Sequence, residues 1–231
     1  MEQTVITELS KYVDEKKRDF YPTFFKTGAG EYAEGDKFLG VTVPHVRKVA
    51  KKYANLPLTD VHTLMISGWH EVRLVALFIL VHQYEKGTLT QREEIFDFYI
   101  AHTHYINNWD LVDASATKIV GAYALVNGTA ILLKYANSKD IWQKRIAMVA
   151  TLAFIKEKEL KVPYQIAEML MHDQHDLIHK AVGWMLREAG KVDAEKLKKF
   201  LNKHAGNMPR TALRYSIELF PEKERKAYLQ K

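Results

Sequence analysis

The sequence predicts an all-α chain, built as a HEAT- or TPR-like helical repeat solenoid. Three observations carry this. Apolar residues recur at spacings of three and four along nearly every segment, as at Leu74, Leu77, Phe78 and Val81, which is the mark of a helix with a buried face. No stretch alternates convincingly with period two, so no strand is expected. The residues around Arg73, Arg145 and Ala181 also echo one another, at intervals of 72 and 36 residues. Helix pairs at that pitch stack into curved arrays whose concave side is a natural groove for an elongated ligand. The alternative is a plain helical bundle, whose amphipathic helices resemble one another simply because they are amphipathic.

Helices are expected over residues 4–16, 44–53, 71–84, 90–102, 109–126, 140–156, 164–171, 177–189, 194–204 and 209–219. Breakers separate several of them: Gly87-Thr88, Asn127-Gly128-Thr129, Asn137-Ser138-Lys139-Asp140, Val162-Pro163 and Gly206-Asn207-Met208-Pro209. The Gly-rich stretch from Gly28 to Gly35 reads as a loop, because it lacks the Lys-Ser/Thr of a phosphate-binding P-loop and any preceding strand. No linker or low-complexity segment interrupts the pattern, so residues 1–231 are expected to form one domain.

Composition narrows the function. The chain has 231 residues, 47% apolar and 27% charged, as a soluble globular protein should. It has no cysteine, which excludes disulfides, thiol catalysis and cysteine-held zinc or iron–sulfur centres. The first residues show neither a basic nor an apolar leader region, and the apolar run Leu74–Val81 is too short to cross a bilayer. A cytoplasmic protein is expected. The net charge of +6 favours a polyanion such as DNA; a basic protein with no such partner is the alternative.

All four tryptophans are followed, three or four residues later, by a charge: Trp69 by Arg73, Trp109 by Asp113, Trp142 by Arg145, Trp184 by Arg187. On a helix those spacings share a face. In Asn107-Asn108-Trp109-Asp110-Leu111-Val112-Asp113, either asparagine can cap the helix, and Asp110 is read as a first-turn carboxylate suited to the helix dipole. Asp113 lies one turn on, where the indole can desolvate it into a useful acid. The alternative pairs Asp113 with an arginine of a neighbouring helix and makes Trp109 core. Arg145 can fork onto phosphate or neutralise Asp113, while Lys144 is read as solvated and Trp142 as core. Gly183 beside Trp184 implies a close approach, either a ligand's or another helix's.

Basic residues cluster too. Arg47 with Lys51, and Lys48 with Lys52, are like-charge pairs one turn apart, which an anion would relieve. Arg210 opens a helix after Pro209, with Arg214 one turn further, a setting suited to backbone phosphate. Lys196 to Lys199 reads as a wet face. His172, His175 and His179 share a helix face without the glutamate of a zinc-protease motif. His102 and His104 flank a helix end without evident role. No Ser–His–Asp set can be nominated, and no metal or cofactor is expected.

Three stretches, in this order, carry a resemblance: Asn108-Trp109-Asp110-Leu111-Val112-Asp113; Asp140-Ile141-Trp142-Gln143-Lys144-Arg145; and Ile178-His179-Lys180-Ala181-Val182-Gly183-Trp184-Met185-Leu186-Arg187-Glu188. Phe38 to Arg47 matches more weakly. Over about residues 38–190 the chain resembles the AlkD-type DNA alkylation repair glycosylases, all-helical proteins of HEAT-like repeats. The resemblance implies a concave basic groove and hydrolysis of the glycosidic bond of N3- and N7-alkylated purines in duplex DNA, without base extrusion. Residue by residue it makes Asp113 the catalytic carboxylate and puts Trp109 and Trp184 against the lesion deoxyribose. It puts Arg145 near the lesion phosphate, and Arg47 and Arg187 on the backbone. Lys51, Arg210 and Arg214 are added from helix position alone. One departure is Asn108, where some relatives carry a second tryptophan.

The chemistry is coherent. The alkylated purine is already cationic and leaves without a general acid. The positive charge that then develops on the sugar suits two indole faces and one carboxylate. Two other readings remain: a non-catalytic module that binds DNA structures, and a protein-interaction scaffold with its tryptophans in the core. A monomer is expected, since a repeat that closes its own ends need not assemble.

Overall fold

The computed structural model describes residues 1–230. Its residues divide into two compact units, the first Met1–Ser115 and the second from Ala116 onward. Both are helical. Among the described residues there is no β-strand, only an isolated parallel bridge between Lys37 and Trp69. No helix there is long and apolar enough to cross a membrane.

The first unit contains α1 (Glu2–Ser10), α2 (Glu15–Phe24), α3 (Val43–Lys52), α4 (Leu58–Met65), α5 (His70–Lys86), α6 (Leu89–Ala101) and α7 (Trp109–Ser115). One helix was expected over residues 4–16; two form, because the Asp14 carboxylate accepts from Lys17 N (3.2 Å) and starts a new helix. α5 is the hub, packed by α3, α4, α6 and α7. That explains its continuous apolar run: every residue from Val72 to Leu80 is buried, as a helix covered on all sides requires. Thr88 and Gln91 close a capping box at the start of α6.

The second unit contains α8 (Ala122–Asn127), α9 (Ala130–Ala136), α10 (Ile141–Ala150), α11 (Leu152–Lys156), α12 (Lys161–Leu170), α13 (Asp176–Val192), α14 (Ala194–His204), α15 (Arg210–Ser216) and α16 (Glu222–Leu229). α9 packs on α10, α12 on α13, and α15 on α16, while α10, α13 and α15 pack on one another in sequence. These three begin at Ile141, Asp176 and Arg210, intervals of 35 and 34 residues, close to the interval of 36 in the sequence. The expected helix over residues 109–126 is interrupted by a π-turn at Thr117–Gly121. There Gly121 lets the Ala150 carbonyl approach; a Cβ would sit 2.3 Å from that oxygen.

Candidate functional site

α7 begins at a buried cap. Asn108, fully buried, caps it by accepting from Trp109 N (2.8 Å), and its amide reaches Phe25 O (3.4 Å). Trp109 and Asp113 then fall on one helix face, as their spacing predicts. Both are half-buried. They line one cleft of about 230 Å³ together with Val43, Arg47, Leu74 and Phe78. The Arg47 guanidinium lies over the Phe78 ring, 4.0 Å from its centroid. Lys51 lines an adjoining cleft of about 250 Å³ that shares Arg47 and Phe78 as walls. A larger cleft, about 420 Å³, is lined by Asn55, His82, Lys86 and Glu94 and holds none of the expected site residues.

The Trp109 indole rests on an aromatic stack. Phe25 lies against it (5.3 Å, 22°), and Phe38 lies against Phe25 (4.9 Å, 11°). Phe24 meets the indole edge-on at 5.8 Å.

Beneath the indole is a buried charged cluster that sequence reasoning missed. His70, the first residue of α5, points Nε2 at Asp110 Oδ2 (2.8 Å) and Nδ1 at Asp36 Oδ2 (3.4 Å). Arg73 Nη2 donates to Asp36 Oδ2 (2.8 Å) and Asn107 Oδ1 (3.0 Å), and Asn107 Nδ2 donates to Asp36 Oδ1 (3.0 Å). Burial alone would push His70 down; the Asp110 and Asp36 carboxylates outweigh it and push it up to about 9. Burial raises Asp36, but the His70 hydrogen bond, the Arg73 charge and Asn107 leave it below the usual carboxylate range. Asp110 therefore does more than the expected helix-dipole duty. One oxygen accepts from Leu111 N (2.9 Å) while the other holds His70. Backbone pairing brings Asp36 there: Lys37 N donates to Gly68 O (3.3 Å) and His70 N to Lys37 O (2.8 Å). The adjacent Glu71, 2% exposed, accepts from the amides of Leu39, Gly40 and Val41 at 2.8–3.0 Å.

In the second unit, α13 carries Trp184 and Arg187, both half-buried. Gly183 marks helix contact rather than a ligand's approach: a Cβ there would sit 2.4 Å from the Tyr215 Cβ and 2.6 Å from Ala212 O, both on α15. Arg187 pairs with Glu218 and reaches Glu188 (3.5 Å). Arg210 donates to Leu229 O, and Arg214 is exposed. Arg145 is only 5% exposed and donates to Leu177 O (2.7 Å), at the start of α13. Trp142 is buried at 8% exposure, as expected of core.

Several smaller expectations are corrected. Lys144 is not merely solvated; it pairs with Asp173 Oδ2 at 2.5 Å. Trp69 is the residue before α5 rather than within a helix. His102 is not idle: Nε2 meets His62 Nδ1 (2.8 Å) and Nδ1 meets Phe98 O (2.7 Å). His175 caps α13 through Leu177 N (3.2 Å), while His179 meets Asp173 O (2.5 Å). Among the described residues no group of three histidines or carboxylates could hold a metal.

Fold and site together describe an all-helical protein of stacked helix pairs, with an indole and a carboxylate in one cleft. In structure it is similar to "Predicted DNA alkylation repair enzyme from Enterococcus faecalis": TM-score 0.70, 15% identity, with 91% of this chain and 98% of that one covered. At that identity the likeness establishes the fold. No curated relative matches the sequence. The family model described as "DNA alkylation repair enzyme" matches residues 5–220, and the chain belongs to that family.

Proposed function

We propose that the protein is a DNA glycosylase that hydrolyses the N-glycosidic bond of N3- or N7-alkylated purines in duplex DNA. The observation that carries the reading is the cleft in which the Asp113 carboxylate, the Trp109 indole and Arg47 share walls. The lesion's positive charge makes the purine a good leaving group, and the breaking bond's electron pair returns with it. The sugar is left as an oxocarbenium ion. Asp113 stabilises that cation and takes a proton from the water that adds to the sugar. Indole faces, from Trp109 and Trp184, add cation–π attraction. One carboxylate suffices, because the other carboxyl group of most glycosidases serves to protonate a poor leaving group.

Arg47, Lys51, Arg187, Arg210 and Arg214 are proposed to hold phosphates of the same duplex, with residues 1–231 working as one domain. Arg145 is assigned to the lesion phosphate, and its burial means that only a small part of the guanidinium is offered. The reading includes action on the lesion without extrusion of the base. The reading requires no cofactor and describes a monomer in the cytoplasm, on the nucleoid when bound.

The test is base release from methylated duplex DNA, with Asp113→Asn beside the wild type. Release should fall by roughly a hundredfold or more in the variant while DNA binding survives. Wild-type release by the variant removes Asp113 from the mechanism. Salt-sensitive DNA binding with no release by either protein instead establishes a non-catalytic DNA-binding module.

A further inference from the structure

The Asp36–His70–Asp110 cluster has no part in the chemistry above, yet it is charged and largely buried, and its Asp110 lines the catalytic cleft. His70 is 2% exposed, and each ring nitrogen faces a different carboxylate. A neutral imidazole has one N–H and can donate to only one of them; only the imidazolium donates to both. Asp36 also accepts from Arg73 and Asn107, and Asp110 from Leu111 N, so charge decides: with a neutral ring two buried carboxylates would face the single Arg73 cation, and the second proton balances them. The groups facing the ring are Asp36, Asp110 and, on its own helix, Arg73. With His70 protonated, two anions meet two cations and the cluster is neutral.

The cluster reaches the cleft by two routes. Asp110 follows Trp109 in the chain and caps Leu111 N, so holding Asp110 holds the first turn of α7. The His70 ring also stacks on Phe38 (4.5 Å) and lies 5.1 Å from Phe25, the ring that supports the Trp109 indole. Asp113 is three residues beyond Asp110 on the same turn.

We propose that His70 is a positioning residue: held as an imidazolium between Asp36 and Asp110, it fixes the first turn of α7 and so places Trp109 and Asp113. A neutral His70 would leave an uncompensated negative charge in the cluster, whose Asp110 lines the same cleft as Asp113, and would raise the proton affinity of the cleft carboxylate. Its bearing on catalysis rests on the glycosylase reading; its bearing on structure does not.

The first measurement needs no variant. In 15N-histidine protein near pH 7.5, about one unit above an ordinary histidine pKa, His70 should show two ring N–H protons. A single ring proton overturns the proposal. The second compares His70→Gln and Asp110→Asn with wild type. Each should displace the Trp109 indole resonance and slow single-turnover base release, by about a hundredfold for His70→Gln. In His70→Gln the acid limb of the pH–rate profile should also move up by about one unit. A purely structural loss lowers the rate without moving that limb. An unmoved limb therefore overturns the charge-balancing role, and an unmoved indole resonance in both variants overturns the positioning role. If wild-type protein releases no base, the glycosylase reading falls, while the ring protons and the indole resonance still decide the placement of α7.

Discussion

Phe25 lies flat against Trp109, ring centroids 5.3 Å apart and planes inclined by 22°. Phe25 is 7% exposed, so it buttresses the indole rather than competing for a ligand. Offset aromatic pairs of this kind contribute about 0.5–1.5 kcal/mol beyond their buried area. Phe25→Leu keeps an apolar side chain and removes the stacked face. It is expected to cost about 1 kcal/mol of stability in urea unfolding, and to slow base release more than it weakens DNA binding. Equal losses in both would show that the stack serves only to hold the unit together.

Arg47 is an exposed cation that lines the cleft with Trp109 and Asp113, and its guanidinium lies over the Phe78 ring. If it binds phosphate, Arg47→Ala should weaken DNA binding on every sequence. It should also reduce the slope of log affinity against log salt by about one. Arg47→Lys should restore the slope without restoring full affinity, because an ammonium lacks the planar face that lies on Phe78. Anisotropy titrations across a salt series read both numbers. An unchanged slope in Arg47→Ala would take Arg47 off the DNA.

Gly183 makes a prediction about packing. The backbone carbonyl of Ala212 cannot move aside cheaply, so Gly183→Ala should destabilise the protein by about 1–3 kcal/mol. Gly68→Ala is the control. An added Cβ there meets nothing within 4 Å, and its effect should stay within about 0.5 kcal/mol. Denaturant midpoints decide; equal midpoints would mean that α13 and α15 are less closely packed than described.

The charged cluster makes stability depend on pH in a definite direction. His70 rises on folding from its ordinary 6.5 to about 9, so its contribution is complete below about pH 6.5 and is lost as pH climbs through 9. Asp36 is lowered on folding, so its contribution is complete above its ordinary range and fades as acid protonates it. Melting temperature should therefore hold between about pH 5 and 6.5 and decline toward pH 10, with His70 supplying at most about 3 kcal/mol. His70→Gln should flatten the alkaline decline. A wild-type curve that is level from pH 6.5 to 10 would mean that the imidazolium is not retained.

Much of this was legible in sequence, and the limits have physical causes. Helix periodicity located α3, α5, α6, α12, α13 and α14, because each buries one face or, for α5, nearly its whole surface. Local spacing also placed Trp109 and Asp113 on one face, since a helix fixes that relation within four residues. The short helices α4, α9 and α16 escaped notice, being too brief to build a periodic signal. The His70 cluster was invisible for another reason. Its members are separated by 34 and 40 residues, and only the Lys37–Trp69 bridge and the packing of α5 on α7 bring them together. The close neighbour of Gly183 was open in the sequence, because a glycine reports a near approach without saying whose.

His70 and Glu71 are consecutive, yet they serve different clients: one clamps α7, the other gathers three amides of the segment before α3. Both depend on the angular setting of a single helical turn. Deleting one residue of α5 just after Glu71 would turn both side chains by about 100° relative to the rest of that helix and unseat both together. A change of length inside this first turn would thus dismantle two anchorages at a stroke.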